Sequence, residues 1–187
     1  MSKIILKNVR CSYVFIDEPR KDKEKPDQKG KYSIQVLLPK DDPQVKKLKA
    51  LSQKVAKEKF GDKVKLGMLK MPLRDGDDER DTPEYEGMYF LNANSAKKPG
   101  INNRANEHAD ADDLEEYGYS GCYFHVSVNL YGFKVDGNKG VAVGLNNVML
   151  RKAGDRLDGS VSASDEFADD VDDDLDDDEL DDDFDDL

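Results

Sequence analysis

Between Gly121 and Leu150 the chain alternates apolar and polar residues around one tight turn, and that pattern admits little but an antiparallel β-hairpin. In GCYFHVSVNLYGF, residues 121–133, Phe124, Val126, Val128 and Leu130 fall on one face, and Tyr123, His125, Ser127, Asn129 and Tyr131 on the other. Val135-Asp136-Gly137-Asn138 supplies the turn, because Asp and Gly accept the positive φ it needs. Residues 139–150 (KGVAVGLNNVML) return alongside.

The rest of the chain is read around that hairpin. Residues 3–16 (KIILKNVRCSYVFI) alternate well enough for one long or bent strand, and 17–28 form a charged loop with two prolines. Residues 30–38 alternate cleanly, with Tyr32, Ile34, Val36 and Leu38 on one face. A single strong helix follows: Asp42 caps it, Pro43 opens it and Gly61 ends it, with Val45, Leu48, Leu51 and Val55 at helical spacing and lysines opposite. Residues 62–86 read as loop with one short strand at 64–71, and the acidic 75–81 as a solvated excursion. Strand character returns at 87–94, before a long polar loop at 95–118. Short strands, one helix and no βαβ rhythm predict a mainly β fold: an OB-fold-like small β-barrel with one long helix and a disordered acidic C-terminal tail.

Charge divides the chain. The net charge of −12 over 187 residues conceals a segment, 165–187, that holds 16 of the 41 acids and no base. The remaining 25 acids face 29 Lys and Arg, so the body carries +4, which suits a polyanionic partner. Like charges repel and few apolar groups oppose chain entropy, so the tail cannot fold alone. The expected organisation is a binding domain at 1–152, a linker at 153–164 and the tail at 165–187. Phe167, Val171, Leu175, Leu180, Phe184 and Leu187 are threaded through the acids, a pattern suited to short-motif docking; Phe184 and Leu187 are the candidate partner-binding residues.

Several classes are disfavoured. No apolar run approaches the ~20 residues of a membrane span, and MSKIILKNVR does not read as a signal peptide. Cys11 and Cys122 read as reduced, buried thiols of a cytosolic protein. With two histidines and two cysteines scattered along the chain, no zinc ligand set is visible, and no cofactor is expected. No nucleotide-binding or hydrolase motif occurs, so catalysis is not indicated. Asp77, Asp78, Glu79 and Asp81 are read as surface charge rather than a nuclease centre.

The candidate DNA-binding residues are the rings of Tyr123, His125 and Tyr131 on the outward face of the hairpin and the bases near predicted strands: Lys7, Arg10, Lys31, Lys70, Arg74, Lys97, Lys98 and Arg104. Exposed rings stack bases without reading sequence, and cations track phosphates. A covering helix or loop would instead make the rings ordinary core.

Gly87–Asn94 with Pro99 and Ile101, Tyr119-Ser120-Gly121-Cys122-Tyr123, Gly140-Val141, Gly144-Leu145-Asn146-Asn147-Val148 and Gly154-Asp155-Arg156-Leu157 follow one another in an order that resembles a family of tailed-phage single-stranded DNA-binding proteins. The resemblance implies an OB-fold, sequence-independent binding of single strands in phage replication or recombination, and no catalysis. It carries over no residue-level contacts. Expected partners are single-stranded DNA and, through the tail, a replication or recombination protein such as a DNA polymerase; no membrane is expected, and a homodimer is left open. The rival reading is an acidic chaperone or DNA mimic that occupies a basic partner without binding DNA.

Overall fold

The computed structural model describes residues 2–21, 24–25, 27 and 29–157. Among these residues, seven strands and three α-helices run in the order β1 (Ser2–Arg20), β2 (Lys31–Pro39), α1 (Pro43–Phe60), β3 (Arg74–Asp75), α2 (Gly76–Glu79), β4 (Met88–Ser95), β5 (Gly100–Asn102), α3 (Ala111–Tyr117), β6 (Tyr123–Val135) and β7 (Asn138–Lys152). Five of the strands close a barrel. β1 pairs antiparallel with β2 and β6, β2 with β4, and β6 with β7. A parallel contact, Asn94 against Gly144, joins β4 to β7. This is the OB-fold order, with β2 and β4 as its second and third strands and α1 inserted between them.

The inward faces are those the alternation predicted. Phe124, Val126, Val128 and Leu130 of β6 are fully buried with Leu6, Val36, Leu38, Leu91 and Leu150. Each such side chain contributes about 1.5–3 kcal/mol by leaving water. α1 closes the barrel with Val45, Leu48, Val55 and Ala56, capped by the Asp42 carboxylate accepting from the Gln44 N–H. Asp136 (φ 48°) and Gly137 (φ 80°) form the β6–β7 turn.

β1 serves both sides of the barrel because its pairing is interrupted. Its register shifts between Leu6 and Val9, between Ser12 and Phe15, and again between Phe15 and Arg20. The first two shifts each hold a non-glycine residue in the left-handed region, Asn8 (φ 52°) and Tyr13 (φ 46°). Such bulges bend a strand and re-aim its side chains.

Four expectations are corrected. β1 runs on to Arg20, shortening the charged loop after it. Residues 64–71 form no strand: Leu66–Met68 is a 3₁₀ turn, and only Lys70 bridges to Gly140. Leu66, Leu69 and Met71 pack on the core at spacings a strand could not present to one side. The acidic 75–81 is a built flap: Lys40 pairs with Asp75 and Asp77, both at 2.7 Å, and Arg74 with Glu79 at 2.7 Å. The polar segment 95–118 contains β5, paired parallel with β7, and α3, whose Asp110 and Asp113 form a reciprocal capping box.

Residues 153–157, expected to begin a linker, lie against the barrel. Tyr119 donates to the Gly154 carbonyl (2.8 Å), Arg156 sits 4.1 Å over the Tyr119 ring, and Leu157 packs beside Leu37, Tyr85 and Phe90. Gly121 (φ 113°) permits this approach, because a Cβ there would collide with the Asp155 carbonyl. Cys11 and Cys122 are unpaired and buried.

Candidate nucleic-acid interface

On the outer face of β1, β2 and β4 the satellite cluster of Leu37, Tyr85 and Phe90 gives way to an open polar groove lined by Tyr13, Arg20, Ser33, Gln35, Arg80, Asn92 and Asn94. The groove floor is hydrogen-bonded. Gln35, buried, accepts a hydrogen bond from the Tyr85 hydroxyl and donates to Asn92 Oδ1 at 3.0 Å. Burial, with the Tyr13 hydroxyl nearby, pushes the Tyr85 phenol up, so it remains a donor. Arg80 lies 4.9 Å from the Phe90 ring centre and 5.7 Å from that of Tyr85. No carboxylate stands within ion-pair distance of its guanidinium among the described residues. Arg20 covers the Phe15 ring at 5.6 Å.

Tyr13 stands out. A tyrosine in the left-handed region costs about 1–2 kcal/mol relative to ordinary backbone, and the residue is 52% exposed, so burial does not recover that cost. Strain held at an exposed aromatic points to a binding role.

The residues expected from sequence are scattered. Lys7 and His125 share a groove on the opposite side of the barrel. Lys31 lies cross-strand from Arg20, beside the β1–β2–β4 face. Lys98 is held by Asp17 at 2.8 Å, which raises its pKa. Arg10 is occupied, donating to the Gly121 and Asp155 carbonyls at 3.2 and 2.9 Å; it pins residues 153–157. Arg74 is engaged by Glu79 and lies over Phe90. Arg104 lies over Tyr117 at 5.1 Å, Lys97 is exposed in the β4–β5 loop, and Lys70 meets β7. Tyr123 is half-buried beneath Lys152, while Tyr131 is 42% exposed at the far end of β6. The three rings line one strand face but do not form a shared platform with the cations. Phe184 and Leu187 lie outside the described residues.

Each groove is lined by two cations and no acid, but the densest positive charge lies elsewhere. Between Pro43 and Phe60, α1 carries six lysines against Glu58, a net of +5 that exceeds the +4 of residues 1–164. Sequence reasoning missed Tyr13, Arg20 and Arg80. The signal for Tyr13 was present in β1: apolar residues fall on even numbers at Ile4 and Leu6, odd at Val9 and Cys11, and even again at Val14 and Ile16.

Over residues 2–180 the chain matches the family described as the ssDNA-binding protein of Enterobacter phage Enc34. The chain belongs to this family. It is 32% identical over 173 residues to a protein of Acyrthosiphon pisum secondary endosymbiont phage 1, "Putative protein p50", covering 88% of this chain and 91% of that one. The single-stranded DNA-binding protein of bacteriophage Enc34, solved in complex with ssDNA, is 27% identical and superposes with a TM-score of 0.69 over 83% of this chain and 89% of that one. The bacteriophage T7 single-stranded DNA-binding protein gp2.5 shares the fold at 16% identity, with a TM-score of 0.54 over 87% and 98% of the two chains. The family segments have structural reasons here. Tyr119–Tyr123 and Gly154–Leu157 pack on each other, and Asn147 of the 144–148 segment accepts from the Gly100 N–H at 3.2 Å.

Proposed function

We propose that this protein binds single-stranded DNA without sequence preference, on the outer face of β1, β2 and β4. The observation that carries the reading is the exposed, conformationally strained Tyr13 beside Arg20, Arg80 and a row of amides, on the second and third barrel strands. OB-folds bind oligonucleotides on that part of the barrel. Tyr13 stacks a base, the arginines meet phosphate or a second base, and Asn92 and Asn94 offer hydrogen bonds that any base edge satisfies. Kinship with the Enc34 protein solved with ssDNA supports the reading. The protein acts by coating and protecting strands, not by catalysis, in phage replication or recombination in the host cytoplasm.

The acidic segment regulates this. Sixteen tethered acids lie at high effective concentration beside the domain and compete with DNA phosphates for its cations. DNA binding frees Phe184 and Leu187 to dock on a replication or recombination protein such as a polymerase. Binding of fluorescent oligo-dT and matching duplex across a salt series tests the core reading. Single strands should bind more tightly than duplex, with affinity falling as salt rises, and Tyr13→Ala should weaken binding. Equal affinity for the two forms, or an unaffected Tyr13→Ala variant, overturns it.

A further inference from the structure

On the other side of the barrel a groove of about 520 Å³ crosses four neighbouring strands, β1, β6, β7 and β5. Its size falls within the range of small-ligand sites. Lys3 and Lys7 of β1 flank one side, His125 and Ser127 of β6 and Asn147 of β7 lie across the middle, and no acid lines it.

Two observations separate this groove from ordinary surface. Ser127 is 9% exposed and its hydroxyl has no hydrogen-bond partner. Arg151 Nε is the only other buried side-chain polar atom among the described residues left in that state. Arg151 adjoins the groove without lining it: its Nη1 reaches the sulfur of Met149, a groove residue, at 3.8 Å, and its charge acts on His125. Buried polar groups are seldom left unsatisfied, so two in one neighbourhood call for a partner.

The second observation is that the groove's donors are preset. His125 Nδ1 accepts from the Asn8 N–H at 2.9 Å, so Nε2 carries the proton of the neutral ring. Asn147 Oδ1 accepts from the Gly100 N–H at 3.2 Å, leaving its NH₂ group to donate. Two ammonium groups, an imidazole N–H, an amide NH₂ and a hydroxyl form a donor-rich set that suits an anion and the acceptor edge of a base. Ile5, half exposed, and Met149 add an apolar strip for a planar ring.

We propose that this groove is a second site that takes one deoxynucleotide unit, its phosphate at Lys3 and Lys7 and its base over Ile5 and Met149 with an edge toward Ser127 and Asn147. The unit comes either from a strand that continues around the barrel, which rests on the binding reading above, or from a free nucleotide, which does not.

The full chain tests it with two probes. Fluorescent oligo-dT is used at about six nucleotides, short for one barrel, and at about twenty, long enough to pass beyond it. Ser127→Val and the surface double variant Lys3→Glu, Lys7→Glu should weaken the long oligonucleotide about tenfold and leave the short one unchanged. Tyr13→Ala should weaken both, so failure of the β1–β2–β4 reading shows separately. In parallel, dTMP is titrated while the backbone amide resonances of Ser127 and Asn147 are followed. Loss confined to the long oligonucleotide assigns the site to the strand, and dTMP shifts at these amides assign it to free nucleotide. If neither variant changes long-oligonucleotide affinity and dTMP shifts neither amide, the site does not exist.

Discussion

The two open faces of the barrel solve the problem of polar groups on a sheet in opposite ways. On β1, β2 and β4 the buried polar atoms satisfy one another, Tyr85 to Gln35 and Gln35 to Asn92, and what faces solvent is a strained ring and two arginines resting on aromatics. On β1, β6, β7 and β5 the hydroxyl of Ser127 and the Nε of Arg151 are buried without partners, and no exposed ring is present among the groove residues. The first face presents a ring and two arginines to solvent, the groups that stacking uses. The second presents hydrogen-bond donors. Each is lined by two cations and no acid, although α1 carries the larger net charge.

That contrast is broken or sharpened by four measurements. The largest effect should come from deleting 165–187, which changes the net charge from −12 to +4. Truncated protein should bind oligo-dT more tightly at low salt, with the difference fading as salt screens the competition; unchanged low-salt affinity would remove the tail from the DNA equilibrium. Next in size, Tyr13→Ala should cost about 1–3 kcal/mol of binding. Tyr13→Gly should cost as much while the thermal midpoint holds or rises, because glycine relieves the positive φ. A matching loss from Tyr131→Ala would move the stacking face to β6.

A smaller effect is expected from acid. Burial first, then the charges of Arg151 and Lys7, hold the His125 pKa below its ordinary value. The unfolded chain therefore takes up the proton before the folded one does. Stability is fully present above about pH 6.5 and falls as the pH drops from there toward the folded pKa, where the Asn8 N–H loses its acceptor. His125→Gln should flatten that limb of a thermal-melt pH series. The smallest change should follow Lys46→Ala with Lys47→Ala: both are exposed on α1, so the salt slope declines slightly and the short-oligonucleotide affinity holds.

How much was legible follows from the range of each interaction. The helix was readable to its caps, because Asp42, Pro43 and Gly61 act within one turn of themselves. The β6–β7 hairpin was readable because period-two alternation and a two-residue turn are both local. The flap at 75–81 was not, since its contacts are distant in the chain: Asp75 pairs with Tyr89 of β4, and Lys40, some 35 positions earlier, bridges Asp75 and Asp77. Asp77, Asp78, Glu79 and Asp81 stay exposed, as surface charge should, while Asp75 and Asp77 gain a partner that no short window of sequence shows.

By itself the sequence determined that this chain has a β core, one basic helix and a segment in which acids gather without a base, because each follows from periodicity, capping or composition within a short window. The tertiary structure alone decided which side chains share a face. Lys7, Arg10 and Arg74 look equivalent as bases near strands, yet one borders a groove, one is bound to backbone carbonyls and one is bound to a carboxylate. Barrel closure sets these outcomes. It brings together strands distant in the chain, and the bulges at Asn8 and Tyr13 choose which side of β1 each residue presents.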